Sequence, residues 1–128
     1  MDQKMSRLKG LCVLLSLALA SAPVFSLQAQ DNLTLLKNIE GEWEYVAGYD
    51  VLMVKFFVED GVLKGAEVGD ERAVDCEQDE NNKMLFRGYT PDGEAFEVEF
   101  YKDDEGNITR SKLIIGYNEV EGTKIKNL

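Results

Sequence analysis

From Gly41 to Leu128 a turn signal falls every eight to twelve residues, and the stretches between alternate apolar with charged side chains. Short, evenly spaced strands with one buried face are the pattern of a small antiparallel β-barrel or sandwich. Counting the segments predicts an all-β fold, a small antiparallel eight-stranded barrel with a short N-terminal helix. The helix is the segment Asp31 to Ile39, where Asp31 or Asn32 can cap and Leu33, Leu36, Leu35 and Ile39 form an apolar stripe. Barely two turns do not persist alone, so this helix is expected to lie across one end of the sheet and close it.

The chain ahead of it reads differently. Lys4, Arg7 and Lys9 precede an apolar run from Leu11 to Ala20, followed by small residues, which is the layout of a secretory signal peptide. A ten-residue run is too short to span a bilayer, which needs about 20. Cleavage is expected after Ala29, giving a leader of residues 1–29 and a single domain of residues 30–128. Cys12 leaves with the leader and sits ahead of the apolar run rather than at its end, so no lipid anchor is expected. Cys76 then stands alone, without an intramolecular disulfide. The expected address is periplasmic or extracellular.

Processing sharpens the charge. The leader removes three of 14 basic and one of 24 acidic residues, leaving 11 against 23 and a net charge of −12. Such a surface repels nucleic acid and anionic lipid, so neither is expected as a partner.

Parity assigns the faces. Trp43 and Tyr45 share one side of the first strand with Glu42 and Glu44 on the other. Lys55 fixes the second, so that Leu52, Val54, Phe56 and Val58 face the core. A third strand runs from Val62 to about Val68, and a weaker fourth centres on Val74 and Cys76. A fifth spans Lys83 to Tyr89 with Met84 and Phe86 inward. Thr90-Pro91-Asp92-Gly93 fits a type I turn with glycine in the left-handed position. In the sixth strand Phe96, Val98 and Phe100 point one way and Glu97 and Glu99 the other. If Lys102 closes the next loop against Asn107, Glu99 lies opposite Arg110 and Glu97 opposite Lys112, two pairs of opposite charge. A last strand, Gly122 to Lys126, is expected to turn Thr123 and Ile125 inward.

Little of this points to catalysis. The chain has no histidine, and Ser111 is the single serine of residues 30–128, so neither Ser111 nor Cys76 has an imidazole base. The carboxylate pairs Glu42/Glu44, Glu97/Glu99 and Asp75/Glu77 fall on the polar parity, whereas a glycosidase needs two that face a cleft. Asp103-Asp104-Glu105-Gly106-Asn107 lacks the twelve-residue spacing of a calcium loop and reads as a hairpin turn. No Cys-x-x-Cys or histidine spacing suits zinc. The chain is therefore expected to be no enzyme, with no catalytic residue, metal or cofactor.

The interior remains. Trp43, Tyr45, Phe56, Met84, Phe86, Phe96 and Val98 form the candidate ligand-binding set, lining an apolar pocket if one exists. An eight-stranded barrel is just wide enough either to be filled by side chains or to hold one small ligand. Short strands and bulky residues favour filling.

Gly41-Glu42-Trp43 on the first strand, after a short apolar helix and before antiparallel strands to the C-terminus, resembles the lipocalin-like superfamily. Within it, Val58-Glu59-Asp60-Gly61-Val62-Leu63 and the run Phe100 to Thr109 are similar to small domains of unknown function that some bacteria append to β-lactamase-like serine hydrolases. The resemblance implies a lipocalin-like barrel and a basic residue, usually arginine, that partners the motif tryptophan late in the barrel. Here Lys124 and Lys126 are the residues on offer after Lys112. Taken with the leader and the missing histidine, the expected function is that of an exported, non-enzymatic, lipocalin-like binding protein for a small apolar ligand or a protein partner. Small barrels of this kind also inhibit bacterial cysteine proteases through a glycine-containing loop near the C-terminus, and Ile115-Gly116-Tyr117-Asn118 is similarly placed. The alternative function is therefore a cysteine-protease inhibitor acting through the loop near Gly116.

Overall fold

The computed structural model describes residues 29–128, so the leader expected for residues 1–29 lies outside it except for Ala29. One helix, α1 (residues 29–39), precedes eight strands: β1 (Gly41–Ala47), β2 (Asp50–Glu59), β3 (Val62–Glu67), β4 (Val74–Gln78), β5 (Leu85–Tyr89), β6 (Ala95–Lys102), β7 (Ile108–Ile115) and β8 (Asn118–Lys126). Each strand pairs antiparallel with the next, and β8 returns to β1, so the sheet closes into a barrel in sequence order. The eight-stranded all-β fold with a short helix is the one the alternation predicts. The barrel and the last helical residues form one unit, Leu35–Leu128, while the unit ending at Thr34 contributes only residues 29–34 of α1 to the described chain.

The two ends of the barrel differ. At one, Leu36 and Ile39 of α1 are buried in the core, and Leu35 packs beside them. Trp43, wholly buried, donates from Nε1 to the Ile39 carbonyl at 2.9 Å, satisfying one of the orphan carbonyls of a helix C-terminus. Glu40 accepts the Val58 amide at 2.7 Å, a strand position beyond the reach of β1. This is the closed end. The other carries the turns at residues 48–49, 68–73, 90–94 and 116–117.

The closed half is packed solid. Trp43, Phe56, Phe86 and Phe100 meet edge to face at centroid separations of 5.2–6.3 Å, the geometry that ring quadrupoles favour. Three of the inward rings lie over a glycine directly across the ladder: Tyr45 over Gly122, Phe56 over Gly65, Phe96 over Gly88. A Cβ at Gly65 would stand 3.1 Å from the Phe56 ring, one at Gly88 2.7 Å from the Phe96 ring, and one at Gly122 would overlap the Tyr45 ring. The glycines are the holes into which the rings fold.

Two registers depart from the sequence reading. Between β6 and β7, Glu99 lies opposite Lys112 and Glu97 opposite Ile114, with Arg110 opposite Tyr101. The loop is one residue shorter than expected, closing at Asp103 and Asn107, and an irregularity at Tyr101/Lys102 inserts Thr109 as an extra residue on β7. The two steps sum to a shift of two, so the faces survive while the partners change. In β8 the parity itself is reversed. Ile115 pairs with Asn118 across the two-residue turn Gly116-Tyr117, which puts Val120, Gly122 and Lys124 inward and leaves Thr123 and Ile125 exposed. Gly122 must face in because Tyr45 occupies its side-chain space. Strand β5 also starts two residues later than expected, because Asp79 and Asn82 side chains take the amides of Asn81, Asn82 and Met84 and hold residues 79–84 in a turn.

Ser111, the one buried polar residue among the described residues, shares a 2.7 Å hydrogen bond with the Tyr45 hydroxyl. Removing one partner strands the other without water. Tyr45→Phe alone should therefore cost about 1–3 kcal/mol, whereas the double change Tyr45→Phe/Ser111→Ala should recover most of that loss. Urea unfolding of the four members of the cycle checks it, and additive losses would refute the coupling.

Candidate functional site

The open end forms a cup of about 260 Å³, floored by Phe56, Cys76 and Phe96 and walled by Val54, Leu113 and Ile115. A neighbouring hollow of about 310 Å³ lies between the β1–β2 and β7–β8 hairpins and shares Leu52, Leu113 and Ile115 with it. A larger concavity, about 1000 Å³, runs along the β4–β5 seam, where pairing is confined to Glu77/Arg87 and Gln78/Phe86. Outward side chains such as Asp75, Glu77 and Arg87 border that groove alongside Leu63 and Phe86, so a larger share of its lining is polar than in the cup inside the barrel.

The seven candidate residues are divided among these places. Phe56 and Phe96 line the cup, and Tyr45 borders the hollow beside it. Trp43 and Val98 belong to the packed half, wholly buried. Phe86 is equally buried and also borders the seam groove. Met84, at the closed end, is half-buried against the core. Residues not in the candidate set that line the cup include Leu52, Val54, Cys76, Leu113 and Ile115. Their inward parity is legible in sequence; which half of the barrel they occupy is not.

The mouth carries the polar groups. Following the inward rows of β2 and β3 one step toward the open end reaches Asp50, opposite Ala47, and Glu67, opposite Val54. The pairs Glu42/Glu44, Glu97/Glu99 and Asp75/Glu77 do fall on the outward face, but these two strand-end carboxylates share the inward register. Arg72 binds Asp70 bidentately, from Nε at 3.1 Å and Nη2 at 2.9 Å, while its own amide also donates to Asp70. Those hydrogen bonds hold the Asp70 carboxyl well below the usual range, at about 2. Arg72 Nη1 reaches Asp92 at 3.5 Å, so one side chain links the β3–β4 loop to the β5–β6 turn across the mouth. That turn has the expected form, with the Gly93 amide bonded to the Thr90 carbonyl and φ +90° at Gly93. Glu94 lies against Gly116 of the next hairpin, close enough that a Cβ there would stand 2.8 Å from its Oε2.

Two further residues gain their meaning from the fold. Lys124 points inward at the closed end, with Nζ 5.8 Å from the Trp43 ring centroid and donating to the Asn38 carbonyl at 2.6 Å. It covers the ring and caps α1 at once, in keeping with the favourable place of a cation at a helix C-terminus. Burial shifts its amine below the ordinary lysine value. Asp103 accepts the amides of Glu105 and Asn107, which accounts for the acidic run 103–107 as a turn.

Compared with known proteins, the chain matches no family model, no curated protein and no solved structure.

Cys76 sits on the cup floor, yet burial, with a smaller effect of Asp75, pushes its thiol up to about 12. It stays protonated at neutral pH and lacks the thiolate that nucleophilic attack requires. In native protein at pH 8 an aromatic disulfide reagent should label Cys76 roughly a thousandfold more slowly than in urea-unfolded protein. Equal rates in the two states would contradict the burial.

Proposed function

We propose that this chain is an exported, non-enzymatic, lipocalin-like binding protein whose ligand is a small, largely apolar molecule held in the open-end cup. The observation that carries the reading is the division of the interior: a packed half closed by α1, and an apolar cup of about 260 Å³ above it. Engineered cavities of about 150 Å³ admit a benzene ring, and drug-sized ligands take upwards of about 300 Å³. The cup suits one ring with a short arm, not a long acyl chain. The lipocalin-like assignment is supported by Lys124 over Trp43, a lysine standing where the Gly-x-Trp resemblance implies a basic residue that is usually arginine. Export rests on the sequence of residues 1–29, and the non-enzymatic reading on the absence of histidine.

A second reading, a protein partner at the same end, is favoured by one observation. The two-residue turns Gly48-Tyr49 and Gly116-Tyr117 both place glycine at φ near +60° and present a fully exposed tyrosine, as type II′ hairpins allow. Inhibition of a cysteine protease through the Gly116 loop is the specific form of this reading.

Native mass spectrometry of protein purified from its own host should show a bound small molecule. A small hydrophobic fluorophore at 100 times its Kd should raise stability by about 2.7 kcal/mol, and Val54→Phe, which fills the cup, should abolish that gain. An empty protein that no fluorophore stabilises would leave the cup reading without support. Stoichiometric inhibition of a cysteine protease, lost in Tyr117→Ala, would transfer the function to the hairpins.

A further inference from the structure

We infer that the cup selects a small organic cation, an amine or guanidine head on an apolar body, in preference to neutral or anionic molecules of the same shape; this deepens the cup reading and rests on it. The lining is apolar inside the barrel and turns acidic at the mouth on β2, on β3 and just ahead of β6. Glu67, Asp92 and Glu94 border the cup, and Asp50 borders the hollow joined to it. Among the residues lining the cup, Arg72 is the one cation, and its charge is matched by the bidentate Asp70. Glu67 and Glu94, together with an Asp92 that shares Arg72 with Asp70, therefore leave the mouth with a net negative field, which low-dielectric walls concentrate toward the opening. Glu67 is directed there by register, opposite Val54. Glu94 is directed there by its contact with Gly116.

Several alternatives fit less well. A bare metal ion is a poor occupant, because among the described residues no three acidic or cysteine side chains gather closely enough to hold one. A carboxylate-headed ligand would have to displace Asp70 or Asp92 from Arg72 while facing Glu67 and Glu94. A cation with an apolar body meets the walls with its body and the spread carboxylates with its head, with no ion pair to break first.

The probes are three isosteres with one ring and a short arm: 2-phenylethylamine, 2-phenylethanol and phenylacetate, titrated into the protein by amide-resolved NMR at low and at 0.5 M salt. The amine should bind at least tenfold more tightly than the alcohol, shift the amides of Glu67 and Glu94, and lose most of its advantage at high salt. Glu67→Gln and Glu94→Gln should each narrow the amine-to-alcohol ratio severalfold, whereas Glu42→Gln, on the outward face at the closed end, should not. Alcohol binding equal to amine binding, or phenylacetate binding tightest, would overturn the charge preference and leave the cup reading standing. Binding of none of the three, together with no fluorophore binding, would remove both. Amine binding whose shifts fall away from the cup, or whose ratio Glu42→Gln narrows as much as Glu67→Gln does, would show attraction to the acidic surface at large and overturn the inference.

Discussion

A barrel of eight strands has a bore only about as wide as the side chains that enter it, and everything inside this protein follows from how that width is shared. A tryptophan, a tyrosine and several phenylalanines cannot all project into such a space unless some facing positions have no side chain. Gly65, Gly88 and Gly122 are those positions, each directly across the ladder from the ring that covers it. The rings then lie along the wall and meet one another edge to face. Trp43 stands at the base of the stack and joins it to α1 through Ile39, with Lys124 closing over its other side. Packing, helix capping and closure of the barrel thus converge on one side chain.

The outer face works by different forces. Arg87 reaches both Asp79 and Glu97, and Lys64 both Glu59 and Asp75, in ion pairs exposed to water. Exposed pairs of this kind add little stability. Their effect is on register, because a one-residue slip would separate Arg87 from Glu97, its cross-strand neighbour, and turn Phe86 and Val98 outward. Stability comes from inside and alignment from both sides.

The same economy of space separates a structural end from a receptive one. Rings and helix exhaust the volume at the closed end. At the open end the inward rows shorten to Val54, Leu113 and Ile115 and end in short polar residues, so a cup remains with an acidic mouth. Arg72 links two of its loops through Asp70 and Asp92 and offsets part of that charge. An apolar body sized to the cup with a cationic head is the ligand we propose for such a graded lining.

Sequence alone determined the strands, the turns and most of the buried face, because period-two alternation and turn chemistry are local: Trp43 with Tyr45, Phe96 with Val98, and the glycine of Thr90-Pro91-Asp92-Gly93 are each read from neighbours a few residues away. Tertiary structure decided the rest. The partners of Glu97 and Glu99 depend on an extra residue at Thr109, and the inward side of β8 depends on Tyr45, distant in sequence, needing the space at Gly122. Phe56 and Phe96 border a cavity while Trp43 and Val98 do not, although all four have the same parity. Parity fixes which side of a strand a residue occupies, whereas depth along the barrel and the filling of its bore are set only when all eight strands meet.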